Sequence, residues 1–420
     1  MRVPRALRQV ATLAGGTAGA QALSLVAAPI ASRLYGPEPY GLLASFMSIS
    51  SVAGTAATLL LHSAVVLTRD DDDARTLVGL AFASSAAVAA LTLGLVLVVG
   101  PGMAESLGDA SLRLWLLAAP FSVLASGATA ALTAWANRRT AYRAISASRL
   151  LAAVLQVALS LSLGFTFPKN PAGLFVSLWA SQWTSAGVLV VATRASGLAW
   201  RRIPGLLRSH GRRVFAEHRR FPIYSLPADL LFTYTQWLPV HLLVGFSGAE
   251  AVGAYSMANR LLGTPLSLVG SSVSDVFRQR AARDVSEHGH CRPLFLKAAA
   301  ALGAGSLVVF APLMLLAPVL LPFALGDEWE LAGAFAAILC PLYFARFVVS
   351  PLASVYYLRN RHAEDLALHV AMIVAVVVAM SAGRDLLGAA QGPLIGYVAA
   401  YSLIYAIYAV RSHQLAGPQS

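Results

Sequence analysis

Twelve long apolar runs constrain this chain more than any other feature of its sequence. Each is at least about 20 residues long, the length that an α-helix needs to cross roughly 30 Å of hydrocarbon. The runs cover residues 10–32, 41–67, 77–100, 112–136, 145–167, 171–193, 222–246, 251–275, 296–322, 331–357, 363–382 and 389–410. Only 12% of the residues are charged, against about a quarter in soluble domains. The sequence therefore predicts an all-α integral membrane protein with about twelve transmembrane helices.

Lysine and arginine are distributed unevenly between alternate loops. With the N-terminus inside, 25 of the 31 lie at the termini or in segments assigned to the inner side, eight of them between Arg194 and Arg220. The outer loops hold only Arg33, Arg113, Lys169 and Arg384. Because cytoplasmic loops collect basic residues, both termini are predicted to be cytoplasmic. Orientation alone explains the basic stretch, so we expect membrane lipids and not nucleic acid as its partner.

Two short motifs recur at corresponding places in the chain. Residues 36–41 and 248–253 both read G-x-E-x-x-G, 212 residues apart, and L-G-D recurs at 107–109 and 325–327, 218 residues apart. Each L-G-D precedes a proline within a span and, 18 residues beyond it, an arginine: Pro120 with Arg138, and Pro341 with Arg359. Short turns that favour glycine and acidic residues would explain either match alone. Two matches predict six-helix halves of equal orientation, related by a pseudo-two-fold axis along the membrane normal.

The repeat and the basic stretch together define the predicted domains. An N-terminal six-helix lobe covers residues 1–193, a basic cytoplasmic linker covers 194–221, and a C-terminal six-helix lobe covers 222–420. The linker is expected to contain an amphipathic surface helix. A binding site is expected between the two lobes.

Catalytic signatures are missing from the sequence. We find no phosphate-binding loop, no zinc-protease motif and no nucleophile elbow. The outer loops are about five to twelve residues long once spans of this length are assigned, too short for a catalytic domain. The two cysteines, Cys291 and Cys340, share no metal-ligand spacing. The chain is therefore not predicted to be an enzyme, nor to hold a metal or cofactor.

Polar side chains inside the spans are the candidate functional residues, because a charge at membrane depth normally faces a cavity or a partner. Arg260 lies ~15 Å into its span, with Asn259 beside it, while Asp229 and Arg346 each lie ~10 Å from the inner end of theirs. A guanidinium suits the geometry of a diphosphate, so Arg260 is interpreted as an anion-binding residue. Alternatively, Arg260 pairs with Asp229, and Arg346 extends to the inner interface.

Other polar features have simpler interpretations. Three glutamines at similar depth would hold helices together: Gln21, Gln156 and Gln182. Three histidines near span ends are expected to pack at the interface and not to relay protons: His62, His241 and His369. The acidic run from Asp70 to Asp73 is expected to be a solvated boundary and not a cation site. Gly15 and Gly19 predict a close helix contact.

Several of these segments resemble the bacterial polysaccharide or O-antigen repeat-unit flippases. The similar residues are R-L-Y-G-P-E at 33–38, L-T-R-D-D at 67–71, Y-S-M-A-N-R-L-L-G-T-P-L at 255–266 and L-G-D-E-W at 325–329. The resemblance extends over nearly the whole chain. Its motifs mark lineage and are not catalytic signatures.

The resemblance implies a fold, a location and a function. Such flippases share a superfamily with the lipid II flippases and the multidrug and toxin extruders, in which two six-helix lobes form a V. It implies translocation of an undecaprenyl-diphosphate-linked oligosaccharide, the polysaccharide repeat unit, across the bacterial inner membrane by alternating access. Polysaccharide polymerase and chain-length machinery would be further partners.

The resemblance also implies a cationic cavity. The candidate substrate contacts are then Arg260, Asn259, Arg346, Arg33 and Gln21. Asp229 departs from the small or neutral residue expected at its position and is a candidate ion-coupling site. The main alternative function is a cation-coupled small-molecule or drug extruder of the same architecture, and a third is a membrane-embedded enzyme or assembly scaffold. An aromatic or acidic cavity would favour the extruder, whereas a cationic one would favour the flippase.

Overall fold

The computed structural model describes residues 5–106, 111–359 and 361–418, and these ranges contain helices and connecting turns but no strand. The helices are α1 Arg5–Tyr35, α2 Pro37–Ala56, α3 Leu61–Leu67, α4 Asp71–Ser106, α5 Ser111–Leu116, α6 Ala119–Arg138, α7 Tyr142–Thr166, α8 Ala172–Ala195, α9 Ile203–His218, α10 Leu226–His288, α11 Arg292–Leu325, α12 Glu330–Leu352, α13 Ser354–Leu358, α14 His362–Leu387 and α15 Gly392–Ala416. The all-α prediction is confirmed.

Within the described ranges, eight helices are long and apolar enough to cross a membrane, or nine if α2 and α3, which meet at a 48° bend, form one span. They coincide with nine of the predicted runs. The other three runs, 10–32, 222–246 and 251–275, lie on α1 and on the two arms of α10, which are less apolar. The chain is a multi-pass membrane protein.

Large aliphatic side chains cover the outer surface of these helices. In α11, Val308 is 74% and Leu315 is 77% exposed. Such residues would destabilise a protein surrounded by water, but hydrocarbon solvates them well. The long helix α11 is therefore apolar on every side because its exposed surface meets lipid.

The repeated G-x-E-x-x-G motif forms the same backbone turn in both halves of the chain. Gly36, between α1 and α2, has φ 76° and ψ 175°. Gly248, which divides α10 into arms 226–247 and 249–288, has φ 80° and ψ −178°. Only glycine adopts this conformation without strain. Of the second repeated motif, residues 107–109 lie outside the described ranges.

Arg138 and Arg359, which the repeat pairs, make equivalent contacts. Arg138 donates to the carbonyl oxygens of Val65 at 3.1 Å and of Arg69 at 3.0 Å, at the end of α3. Arg359 donates to the carbonyl oxygen of Gly289 at 2.9 Å, just after the end of α10, and also to those of Leu415 and Gly417 at the end of α15. Each guanidinium thus satisfies carbonyl groups that have no partner within their own helix. The predicted internal repeat is a structural one.

By its internal contacts the chain divides into two compact units, Met1–His241 and Leu242–Ser420. The first unit holds α1–α9 and most of the first arm of α10. The predicted linker contains α9, whose Ile203 and Val214 are buried and whose Ile203 packs against Gly79 of α4. The expected amphipathic helix is therefore present. The predicted lobe boundaries at residues 193 and 222 stay predictions.

Small residues allow two helix pairs to pack closely. In the first unit, a Cβ added at Gly16 would overlap Ser146, whereas one at Gly15 would meet no described atom within 4 Å. The prediction of Gly15 as the contact residue is therefore wrong by one position. In the second unit, a Cβ at Gly396 would overlap the carbonyl oxygen of Ala379. At that point α14 and α15 are in backbone contact.

We expect Gly396→Ala to destabilise the protein. The methyl group must separate α14 from α15, and overpacking of this kind typically costs about 1–3 kcal/mol. The matched control is Gly305→Ala in α11, where an added Cβ meets no described atom within 4 Å. Because alanine favours a helix over glycine by about 1 kcal/mol, this control should melt no lower than the wild type. Thermal unfolding in detergent gives the melting temperature of each variant. If Gly396→Ala melts at the same temperature as the wild type and the control, the close contact is contradicted.

Candidate functional site

A half-buried arginine lies near a group of tyrosines in the second unit. This residue, Arg346, projects from α12. The tyrosines within electrostatic range of it come from α10, α12 and α15, and we call them the tyrosine cluster: Tyr255, Tyr343, Tyr397, Tyr401 and Tyr405. Among the side chains that the structure describes, no carboxylate forms an ion pair with Arg346. The cluster therefore surrounds a positive charge with hydroxyl groups and aromatic rings.

The tyrosine cluster connects Arg346 to a second predicted residue. The Tyr343 hydroxyl donates to Oδ1 of Asn259, and it also lies 3.3 Å from the Asn259 carbonyl oxygen. Gly263, one turn further along α10, leaves the space that the Tyr343 hydroxyl occupies. Arg260 is half-buried and follows Asn259 on the same arm of α10. Three of the five predicted substrate contacts thus belong to neighbouring segments of α10 and α12.

Sequence reasoning missed the tyrosines, although α15 contained a signal. Tyr397, Tyr401 and Tyr405 are four residues apart and line one side of the helix. Their ring centroids are 4.7 Å apart for the first pair and 5.9 Å apart for the second. A repeating tyrosine on an otherwise apolar span indicates a polar surface, since lipid gives a phenol hydroxyl no partner.

The other two predicted substrate contacts lie in the first unit. Arg33 is exposed in the last turn of α1. Gln21 is half-buried on α1, and its Oε1 has no hydrogen-bond partner among the described residues. Neither residue belongs to the group around Arg346, and their roles stay predictions.

Asp229, the predicted ion-coupling residue, lies on the first arm of α10 within electrostatic range of His62. The ring nitrogen Nδ1 of His62 is 2.6 Å from the Thr58 hydroxyl, beside the bend between α2 and α3. Further along the same seam, the hydroxyls of Thr55 and Thr233 are 3.1 Å apart. The first arm of α10 therefore packs beside α2 and α3 at a polar seam. Asp229 is exposed beside this seam.

The first unit also contains a pocket of about 480 Å³ between α6, α7 and α8, with polar side chains set in a mostly apolar surface. Its lining includes two predicted glutamines, Gln156 and Gln182, and Arg149 of α7. Arg149 lies in the second turn of α7, within the predicted span 145–167. Its Nη1 donates to the Thr17 hydroxyl of α1 at 2.6 Å. This hydrogen bond joins α7 to α1.

The acidic run is only partly the solvated boundary that the sequence predicts, because its partly exposed members also form ion pairs and Asp73 is buried. Asp71 accepts from Arg138 at 2.8 Å and from Arg139 at 2.6 Å, both at the end of α6. Asp73 is only 8% exposed and pairs with Arg213 of α9. The hydrogen bond that Arg213 donates to Asp73 raises the pKa of the Arg213 guanidinium above its ordinary value. The run therefore joins α4 to α6 and α9. Among the described residues, no cluster of acidic, histidine or cysteine side chains could hold a metal ion.

Known structures with the same fold are membrane transporters. The lipid II flippase MurJ, in an inward closed conformation, matches with a TM-score of 0.72 and 10% identity, over 96% of this chain and 87% of that one. An inward-facing multidrug resistance MATE family transporter of the MOP superfamily matches with a TM-score of 0.67 and 14% identity, over 94% of each chain. A MATE transporter from Vibrio cholerae matches with a TM-score of 0.56 and 15% identity, over 97% of this chain and 95% of that one.

The chain is an α-helical multi-pass membrane protein that shares its fold with these transporters. No curated protein matches the sequence. A family model described as "Polysaccharide biosynthesis protein" matches residues 30–333. The chain belongs to this family of polysaccharide biosynthesis proteins, and the resemblance seen in its sequence motifs is confirmed.

Proposed function

We propose that this protein is a flippase that moves an undecaprenyl-diphosphate-linked oligosaccharide across the bacterial inner membrane by alternating access. Family membership supports a role in polysaccharide synthesis. The shared fold with a lipid II flippase supports movement of a lipid-linked glycan. The observation that carries the proposal is Arg346, a half-buried cation within a span that pairs with no carboxylate among the described side chains.

A diphosphate fits the chemistry around Arg346. A guanidinium binds phosphoryl oxygens with two parallel hydrogen bonds, and the pair is strong where water is scarce. The hydroxyls of the tyrosine cluster can donate to further phosphoryl oxygens. Asn259 accepts from Tyr343 and orients that hydroxyl, and Arg260 supplies a second guanidinium on the same helix. In this proposal Arg346, Arg260 and Asn259 hold the diphosphate, and Arg33 and Gln21 contact the substrate from the first unit.

Drug extrusion is the second candidate, and the tyrosine cluster gives a specific reason to consider it. The faces of tyrosine rings attract cations, and many exported drugs are cations. Arg346 opposes that function, because it places a positive charge among the same rings. Asp229, exposed and near His62, is a proposed proton or sodium coupling site in either case. Polysaccharide polymerase and chain-length machinery are proposed partners of the flippase only.

The topology that we propose places both termini and α9 in the cytoplasm. It predicts that an impermeant thiol reagent labels Lys169→Cys in intact cells, and Gly205→Cys only after the cells are permeabilised, because the basic stretch is retained inside. Both positions are exposed. The native Cys291 and Cys340 are buried, and burial raises the pKa of the Cys291 thiol, so the wild type should react little. Labelling of Gly205→Cys but not Lys169→Cys in intact cells would reverse the orientation.

Deletion of the protein should abolish surface polysaccharide and leave lipid-linked repeat units in the inner leaflet. In a complemented strain, Arg346→Gln should lower export roughly 10- to 100-fold, since a hydrogen bond to a charged group contributes about 1.5–3 kcal/mol. Arg346→Lys keeps the charge but loses the paired geometry, so it should restore export only partly. Surface glycan, extracted lipid-linked intermediates and membrane abundance are measured for each variant.

The matched control is Arg384→Gln, an arginine of the same unit whose guanidinium stacks on Phe246 at 5.1 Å, away from the tyrosine cluster. It should export normally. Normal surface glycan in the deletion strain, accompanied by raised drug sensitivity, would instead support the extruder. Normal export by Arg346→Gln would remove Arg346 from the site.

A further inference from the structure

The pocket in the first unit has the size and the lining of a ligand site. Its volume of about 480 Å³ lies within the roughly 300–1,000 Å³ typical of small-molecule pockets. Apart from Arg149, the described lining consists of four alanines and six neutral polar residues: Ser126, Thr129, Gln156, Ser181, Gln182 and Ser185. We refer to it as the glutamine pocket. The alanines leave open space, and the polar side chains contribute separate polar atoms to a mostly apolar surface.

The two glutamines keep hydrogen-bonding capacity that the protein does not use. A serine or threonine in a helix can satisfy its hydroxyl on its own backbone, but a glutamine amide cannot do so easily. Oε1 of Gln182 is shielded from solvent and has no hydrogen-bond partner among the described residues. Oε1 of Gln156 accepts one long bond, of 3.4 Å, from Ser181. Contacts between helices therefore use only a small part of the hydrogen-bonding capacity of these two amides.

Arg149 adds a positive charge at the inner end of the glutamine pocket. It lies on the same face of α7 as Gln156, seven residues earlier, which is a rise of ~10 Å along the helix. One of its nitrogens donates to Thr17, and a guanidinium has five N–H groups in all. Among the described side chains it forms no ion pair with a carboxylate. The remaining N–H groups can reach an anion in the pocket.

This combination fits a sugar next to a phosphate better than other ligand classes. Sugar hydroxyls both donate and accept, as amide side chains do, and a phosphate pairs with a guanidinium. A cationic drug would need aromatic or acidic side chains, and the described lining has neither. An apolar ligand would leave the amides without partners.

We propose that the glutamine pocket binds a sugar of the lipid-linked headgroup, with Gln156 and Gln182 on its hydroxyls and Arg149 on an adjacent phosphoryl oxygen. This proposal rests on the proposed flippase function and extends it, because it makes the first unit the part that recognises the glycan. The tyrosine cluster needs only the diphosphate, which all such lipids share. The glutamine pocket would then set the preference among sugars.

Binding to the full-length protein in lipid nanodiscs tests the proposal with two probes. One probe is undecaprenyl diphosphate, and the other is the lipid-linked glycan extracted from cells that lack this protein. The wild type should bind the glycan-bearing lipid more tightly. Gln156→Leu and Gln182→Leu should each lower that preference roughly three- to ten-fold, the effect of one lost hydrogen bond, with little change in affinity for undecaprenyl diphosphate. The matched control Gln236→Leu, an exposed glutamine of α10, should keep the wild-type preference.

The outcomes separate this proposal from the proposed function. If the wild type binds neither lipid, the flippase function fails and the sugar site fails with it. If the wild type binds both lipids equally, or if the two pocket variants keep the full preference at wild-type thermal stability, the sugar site alone is overturned. If Gln156→Leu or Gln182→Leu lowers thermal stability, then Gln156→Glu and Gln182→Glu replace them. These variants keep an acceptor but add a negative charge beside Arg149, and an unchanged preference in them overturns the sugar site equally.

Discussion

Hydrocarbon offers no hydrogen-bond partner to a backbone N–H or C=O group, and the structure of this protein depends on that constraint. Nearly every described residue is therefore in a helix. Where helices end, other groups satisfy the free carbonyls. Arg138 does so at the end of α3 and Arg359 just after the end of α10. The glycines at 36 and 248 reverse the chain in a conformation that other residues avoid. The two halves solve the same problem with the same residues.

The same constraint makes polar side chains within the helices informative. Each must meet a partner, a cavity or a ligand, because lipid provides none. Asp71 and Asp73 form ion pairs with arginines of the protein, and these pairs join α4 to α6 and α9. Arg346 lies within electrostatic range of the tyrosine cluster but pairs with no described carboxylate, and the amide oxygen of Gln182 has no partner among the described residues. The ion pairs of the two aspartates stabilise the fold, whereas Arg346 and Gln182 can still form hydrogen bonds to a substrate.

Much of the fold could be predicted from the sequence because the relevant signals are local. Apolar runs identify the spans, and a repeated motif with an obligatory glycine identifies the two halves. The contacts of Asp71 could not be predicted, since Arg138 lies 67 residues away along the chain and a run of four aspartates looks solvated. The candidate site was predicted in part, since Asn259 and Arg346 stand out singly, whereas the tyrosines between them become significant only when α12 and α15 are seen to pack together.

The central claim is that this protein moves a lipid-linked glycan between leaflets, and reconstitution tests it most directly. Purified protein is placed in liposomes that carry the glycan-bearing undecaprenyl diphosphate from cells lacking the protein, and the fraction of glycan accessible to an external sugar-oxidising reagent is followed over time. Our account predicts that glycan protected in the inner leaflet becomes accessible in these liposomes and stays protected in protein-free ones. Glycan that stays protected, in liposomes that nevertheless transport a cationic dye, would contradict the account.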